Sequence, residues 1–385
     1  MQYTLDALIR EHGTPLFVMD HEKIRANYRL FREQLPDVQC YYAVKANSNR
    51  EIVRTLFAEG ASFDVASYNE FMLVYECIQP FDEKEKDHFI WDKIIFSNTI
   101  KDRDTLSRIR RYKPLVTYDN VDEIEKISNY CNTAGLVLRL KVPDIGSQVE
   151  MGSKFGAEPG DAAMLIDRAH EAGLEVEGLS FHVGSQCTRF DNYTAALAIT
   201  ARILSEARGR GYKLRIIDMG GGFPAPYDCE GPGFQELAAV IRAECARLFP
   251  PDVELIAEPG RFIIADTAVL VTEIIGRARR NGKRFYHLND GVYHTFSGIV
   301  YDHWIPNFTP LHTDAFRGEP EVCAVVGPTC DSFDKISLSV HLPGDLETGD
   351  MLLTRNIGAY SIASSTLFNG FEGAKVVHVN HQRHS

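Results

Sequence analysis

CYYAVKANSNREIVRTLFAEGASFDVA, residues 40–66, is the stretch on which the fold turns. The aromatic and apolar run CYYAV (40–44) reads as a strand. NREIVRTLFAEG (49–60) follows with apolar residues at helical spacing, and SFDVA (62–66) reads as a strand again. Strand, helix, strand in so short a span is the unit from which parallel sheets are built. The alternation continues onwards. KIIFS (93–97), PLVTY (114–118), LVLRLKV (136–142), VEGLSFHV (176–183), LRIIDMG (214–220) and VELIAE (253–258) are strand-like. Segments of helical spacing, such as AAMLIDRAHEAG (162–173), lie between them. With the first two, these runs make the eight that a TIM-like (β/α)8 barrel needs. A doubly wound open sheet uses the same alternation, but the count favours the α/β barrel.

The texture changes after about residue 262. AVLVTEIIGRAR (268–279), KRFYHLND (283–290), EVCAVVG (321–327), DMLLTR (350–355) and AKVVHVN (374–380) are short β-like runs with little helical periodicity between them. The expected organisation is a barrel over 20–262 and a β-rich domain over 263–385 that also takes in residues 1–19. PFDEKEKDHF (80–89) reads as a charged surface loop.

The chain has 385 residues, a formal net charge of −12 and 44% hydrophobic residues. That charge disfavours wholesale binding to nucleic acid or to an anionic membrane, and it is compatible with cationic small molecules. No apolar run is long enough to span a membrane, and MQYTLDALIREHGTPLFVMD carries no signal-peptide pattern. The eight cysteines are scattered, with no CxxC pair, so free thiols in a reducing cytoplasm are expected. No metal site is expected: there is no HExxH spacing and no Cys/His cluster. There is also no GxSxG elbow.

In a barrel the chemistry gathers at the C-terminal ends of the strands. Several polar residues fall there. Lys45 ends CYYAVK; strand-end lysines are usually surface charges, but a partly buried one is a nucleophile towards aldehydes. Asp64 falls within SFDVAS. His182 ends LSFH, as a satisfied core histidine or as a ring stacked on a cofactor, and Ser185 follows it. Gly220, Gly221 and Gly222 form either a tight turn or a nest of N–H groups for phosphate. Glu258 and Arg261, in EPGR, form a local ion pair or else hold a heterocyclic nitrogen and a phosphate.

Taken together, YYAVKAN (41–47), FDVASYNE (63–70), FHVGSQ (181–186), DMGGGFP (218–224), AEPGR (257–261), NDGVYHTFSGIVYDH (289–303), GPTCDSFD (327–334) and IGAYSIASSTLFNGF (357–371) closely resemble the ornithine/arginine/diaminopimelate decarboxylase family. The matches run in order over essentially the whole chain. The resemblance implies pyridoxal 5'-phosphate as cofactor, with Lys45 as its Schiff-base lysine. It implies that Glu258 faces the ring nitrogen and that His182 stacks on the ring. Gly220, Gly221, Gly222, Ser185, Arg261 and Tyr360 would hold the phosphate, and Asp64 and Glu70 would support the lysine and the ring. It further implies a homodimer with active sites shared across its interface, in which Cys330 returns a proton to the α-carbon. Asp331 and Asp302 would bind the ammonium of a basic amino acid, L-ornithine ahead of L-lysine, giving putrescine or cadaverine. This chain reads CDSFD where a diaminopimelate enzyme typically reads CESxD, and Ser332 stands where glycine is usual in the ornithine pattern. Ser332, with His294 and Trp304, leaves the balance between ornithine and lysine open. The alternatives are a catalytically inactive, regulatory relative, a decarboxylase of another diamino acid, and an amino-acid racemase.

Overall fold

The structure, a computed structural model, describes residues 4–225, 227, 233–312, 315, 316 and 318–381. Cys229 lies outside the described residues. The chain divides into two compact units, Arg25–Ile263 on one side and Met1–Ile24 with Ile264–Ser385 on the other.

Strand β1, Leu16–Asp20, belongs to the second of these units. The next eight strands make the first unit a closed barrel. They are β2 (Val38–Ala43), β3 (Ser62–Val65), β4 (Ile94–Phe96), β5 (Leu115–Tyr118), β6 (Gly135–Leu140), β7 (Glu175–Phe181), β8 (Ile216–Asp218) and β9 (Glu254–Ala257). Each of the eight runs read as a strand overlaps one of them. Neighbours pair in parallel, and β9 closes onto β2 in the register Val38↔Leu255, Gln39↔Ile256, Cys40↔Ala257. Inside, Tyr41, Ile95, Leu115, Val137, Ile216 and Ile256 pack into one buried cluster. The interior is therefore a filled core, and only its rim is left for chemistry.

Local chemistry starts the helices. Asn49, Ser67, Asp102 and Asn120 each accept a backbone N–H at the start of a helix: Arg50–Ala58, Tyr68–Ile78, Arg103–Ile109 and Val121–Tyr130. The same chemistry corrects one expectation. The segment read as a charged loop over 80–89 runs into the helix Glu83–Lys93. Asp82 and Glu85 form a reciprocal capping box there, Lys86 pairs with Glu83 at 2.8 Å, and Ile90 is buried. Dense charge hid a helix anchored by few apolar side chains.

The second unit is β-rich. It contains β10 (Ala268–Arg280), β11 (Lys283–Leu288), β12 (Phe308–Pro310), β13 (Pro320–Val326), β14 (Lys335–Pro343), β15 (Met351–Arg355) and β16 (Lys375–Val379). The strand order is β12-β15-β10-β11-β13-β14, and β1 joins antiparallel to β10 and parallel to β16. β14 drew no notice in the sequence because much of KISLSVHLP is polar or exposed.

One aromatic cluster ties the barrel core to its rim. Phe31 is fully buried and meets Phe223 at 5.0 Å, Phe234 at 5.3 Å and Phe262 at 5.8 Å between ring centroids. Phe223 follows Gly222, and Phe262 follows Arg261. Phe31→Ala is expected to cost about 3–5 kcal/mol, read from the midpoint of urea unfolding.

Candidate active site

Lys45 stands on a single 3₁₀ turn, Val44–Ala46, directly after β2. Its Nζ is ion-paired with Asp64 Oδ2 on the neighbouring strand β3. The Asp64 side chain is fully buried, whereas that of Lys45 is 35% exposed. Parallel pairing of Ala43 with Asp64 sets the two side by side. The other carboxylate oxygen of Asp64, Oδ1, is buried and has no hydrogen-bond partner. Glu70 caps the start of the next helix, accepting from the N–H of Ala66 at 2.7 Å, and burial pushes its carboxyl up.

Glu258 follows β9 and is buried. Its Oε1 accepts a hydrogen bond from the hydroxyl of Ser97, the residue after β4. Burial and the nearby Asp64 charge raise its carboxyl above the usual range. Asp218, at the end of β8, is raised by burial and then by Glu258. Asp64, Asp218 and Glu258 all act on Arg139 of β6, whose guanidinium lies over the Phe155 ring at 5.0 Å. Asp119 acts on Arg139 as well, so the acid groups outnumber the two cations, Lys45 and Arg139.

His182 follows β7. Its Nδ1 accepts from the N–H of Gly184 at 3.1 Å, which leaves Nε2 to carry the proton of the neutral ring. Burial, then Arg139 and Lys45, hold it well below the usual histidine range, so it is neutral. A neutral ring suits flat stacking.

The glycine loop lies beside it. Gly220 and Gly222 have φ of +61° and +97°. A Cβ at Gly220 would overlap the carbonyl oxygen of Phe181, and one at Gly222 that of Gly184. The N–H of Gly220 is used within the loop, donating to Asp218 Oδ1 at 2.8 Å. Those of Gly221 and Gly222 donate to no acceptor among the described residues. Arg261, also buried, donates to Ser185 Oγ from Nη2 at 2.8 Å and from Nε at 3.2 Å, and to the Tyr227 hydroxyl at 3.0 Å. Ser185 is pinned by Gln148 and Val149 through backbone bonds of 2.9 Å.

The structure therefore gathers Lys45, Asp64, His182, Ser185, the three glycines, Glu258 and Arg261 on one barrel rim. Cys330, Asp331, Asp302 and Tyr360 belong to the other unit. Cys330 is exposed, and its N–H donates to Asn369 Oδ1 at 3.1 Å. Asp331 accepts from the Tyr293 hydroxyl and from the N–H of Phe333, and the Tyr293 bond holds its carboxyl below the usual range. Asp302 is buried at the end of the turn Gly298–Tyr301, and Tyr360 has a left-handed φ of +52°. Ser97, Arg139, Asp218 and Tyr227 were missed from sequence. The first three lie on or directly after barrel strands, as the chosen residues do, so the strand-end rule could have found them.

A lysine amine, the two N–H groups of Gly221 and Gly222 that meet no acceptor among the described residues, a buried guanidinium and a buried acid cluster fit a phosphorylated aldehyde with a basic ring nitrogen. Comparison with known proteins bears on the same point. The profile of a family described as "Pyridoxal-dependent decarboxylase, pyridoxal binding domain" matches residues 21–265. A lysine/ornithine decarboxylase of Selenomonas ruminantium is 35% identical over 94% of this chain and 89% of its own length. Antizyme inhibitor 2 of Xenopus laevis is 34% identical over 95% and 81%. The crystal structure of a Vibrio vulnificus lysine/ornithine decarboxylase complexed with cadaverine superposes with a TM-score of 0.88 at 34% identity, covering 98% of this chain and 97% of that one.

The chain belongs to the pyridoxal-dependent decarboxylase family. It is an amino-acid decarboxylase, and its cofactor is pyridoxal 5'-phosphate.

Two outcomes follow from the geometry. Gly222→Ala is expected to fold yet to lose the cofactor on gel filtration, measured as lost visible absorbance. Asp218 and Glu258 have folded values raised above their unfolded ones. Their contribution to stability is complete below the ordinary carboxylate range, about pH 4, and is lost as pH rises through the raised values. The cofactor-free protein should therefore lose stability as pH rises, and added cofactor should raise Tm more at about pH 8 than at about pH 5, read by calorimetry.

Proposed function

We propose that this decarboxylase acts on basic amino acids: on L-ornithine, giving putrescine and CO2, and also on L-lysine, giving cadaverine. The observation that carries the reading is Asp331, a carboxylate kept ionised beside the exposed thiol of Cys330. An ionised carboxylate suits the distal ammonium of a diamino acid and repels a distal carboxylate. Asp302 serves as its partner in that task. The names of the Selenomonas and Vibrio relatives, which join lysine with ornithine, support a pocket open to both. A single methylene is worth only about 1–3 kcal/mol of discrimination.

When bound, pyridoxal phosphate supplies an aldehyde that takes up an amino group and a protonated ring that accepts the electron pair left by CO2. The chain does the rest. Lys45 holds the aldehyde end, with Asp64 keeping its amine in place. Glu258 holds the proton at the ring nitrogen. His182, neutral, covers the ring without adding charge. Gly221, Gly222, Ser185 and Arg261 bind the phosphate, joined by Tyr360. Cys330 returns a proton to the α-carbon, a task its exposed thiol can reach.

The same loop supports a homodimer with shared sites. Phe333 is exposed two residues after Asp331, Leu367 and Phe371 are exposed on either side of Asn369, which accepts from the Cys330 N–H, and a second copy of the chain would cover them. Free thiols at the seven described cysteines fit a reducing, cytoplasmic setting, and no helix among the described residues is long and apolar enough to cross a membrane.

The test offers ornithine, lysine, arginine and diaminopimelate side by side and identifies the amines formed. Putrescine and cadaverine are expected; agmatine alone, or no amine, would overturn the reading. Lys45→Ala should abolish both CO2 release and the visible band. Mixing inactive Lys45→Ala with inactive Cys330→Ala should restore activity, because one of the two mixed sites then holds both residues. No recovery after subunit exchange would argue against sharing.

A further inference from the structure

The carboxyl of Glu258 lies in a crowded electrostatic setting. Lys45 and Asp64 act on it from the β2 and β3 side, Asp218 from the end of β8, and Arg139 from β6. Neutral His182 follows β7. Among these groups, the hydroxyl of Ser97 brings a hydrogen-bond donor to Glu258 Oε1 without bringing charge. Both residues are buried, Ser97 at 9% and Glu258 at 6% exposure.

Ser97 is held from behind. Its N–H donates to the carbonyl of Val65 at 3.2 Å, continuing the β3–β4 ladder past the strand end. The chain beyond it is clamped by Lys101, which is buried. Its Nζ donates to the carbonyls of Asn98 at 2.9 Å, Thr99 at 3.3 Å and Thr117 at 2.6 Å. It also pairs with buried Glu123 at 3.0 Å, and Glu123 Oε1 accepts the Lys101 N–H at 3.1 Å. A buried ammonium that satisfies three carbonyls and a carboxylate fixes the backbone of 97–101. The serine hydroxyl is thus presented to Glu258 by a rigid loop.

We infer that Ser97 is a positioning residue for the cofactor's ring nitrogen: its hydroxyl fixes the rotamer of Glu258 and keeps that side chain a carboxylate, with Lys101 as the clamp that holds the serine in place. The inference rests on the role proposed above for Glu258. A hydrogen bond to the charged form of a carboxyl favours that form. Burial and the neighbouring Asp64 push Glu258 the other way. Without the serine hydroxyl, Glu258 would keep its own proton to higher pH. A neutral carboxyl attracts a protonated ring nitrogen far less than a carboxylate does.

The test compares Ser97→Ala, Ser97→Thr and Glu258→Gln with the parent protein. Affinity for pyridoxal phosphate is measured by titrating the cofactor-free proteins, and Tm of the same proteins is followed across pH. For Ser97→Ala, affinity at neutral pH should fall roughly tenfold, the scale of a lost hydrogen bond to a charged group. The fall in Tm with rising pH should move to higher pH, because ionisation of Glu258 is postponed. Ser97→Thr, which keeps the hydroxyl, should restore both. Adding Ser97→Ala to Glu258→Gln should cost no further affinity. A Ser97→Ala protein whose Tm drops equally at every pH, with unchanged affinity, would show a merely structural serine and overturn the inference. If Glu258→Gln itself binds cofactor as tightly as the parent, the role assigned to Glu258 fails instead.

Discussion

Closure of the barrel by the pairing of β9 with β2 is the constraint on which the site depends. Parallel strands all end at one rim, and a closed ring leaves no edge along which they could drift apart. The register that sets Cys40 opposite Ala257 places the residues just beyond, Lys45 and Glu258, at the same rim. The β2–β3 register does the same for Lys45 and Asp64. Groups 19 and 161 residues apart in sequence, Lys45–Asp64 and Ser97–Glu258, thereby become hydrogen-bond partners.

The rim concentrates charge where water is scarce. Acid groups that outnumber Lys45 and Arg139 are a poor arrangement for stability alone, and burial raises Asp218 and Glu258. On the same rim, Gly220 and Gly222 hold left-handed φ values and Arg261 brings a buried guanidinium bonded to Ser185. The barrel rim thus carries buried acid groups and a buried guanidinium on neighbouring strand ends.

The second unit contributes a different kind of chemistry. Its loops carry an exposed thiol and an ionised carboxylate among apolar side chains that water covers poorly. A bridge from Tyr293 to Asp331 and a bond from Cys330 to Asn369 give that loop a set shape.

The sequence by itself determined the periodicities and the local chemistry. Eight apolar runs at βα spacing announced the barrel; the capping by Asn49, Ser67, Asp102 and Asn120, equally local, went unread. Lys45, the glycine loop and the EPGR segment stood out because their residue types are unusual at strand ends. Signals that are weak in one dimension were lost: the helix Glu83–Lys93 beneath its charges, and β14 beneath its polar face. Tertiary structure alone decided which strand ends are neighbours. Lys45 could be read in the chain, but the partnership of Ser97 with Glu258 could not, because a serine after an apolar run is unremarked until barrel closure sets it against a buried carboxyl. Hydrogen bonds and charge balance depend on distances in space, and only closure of the ring fixes those.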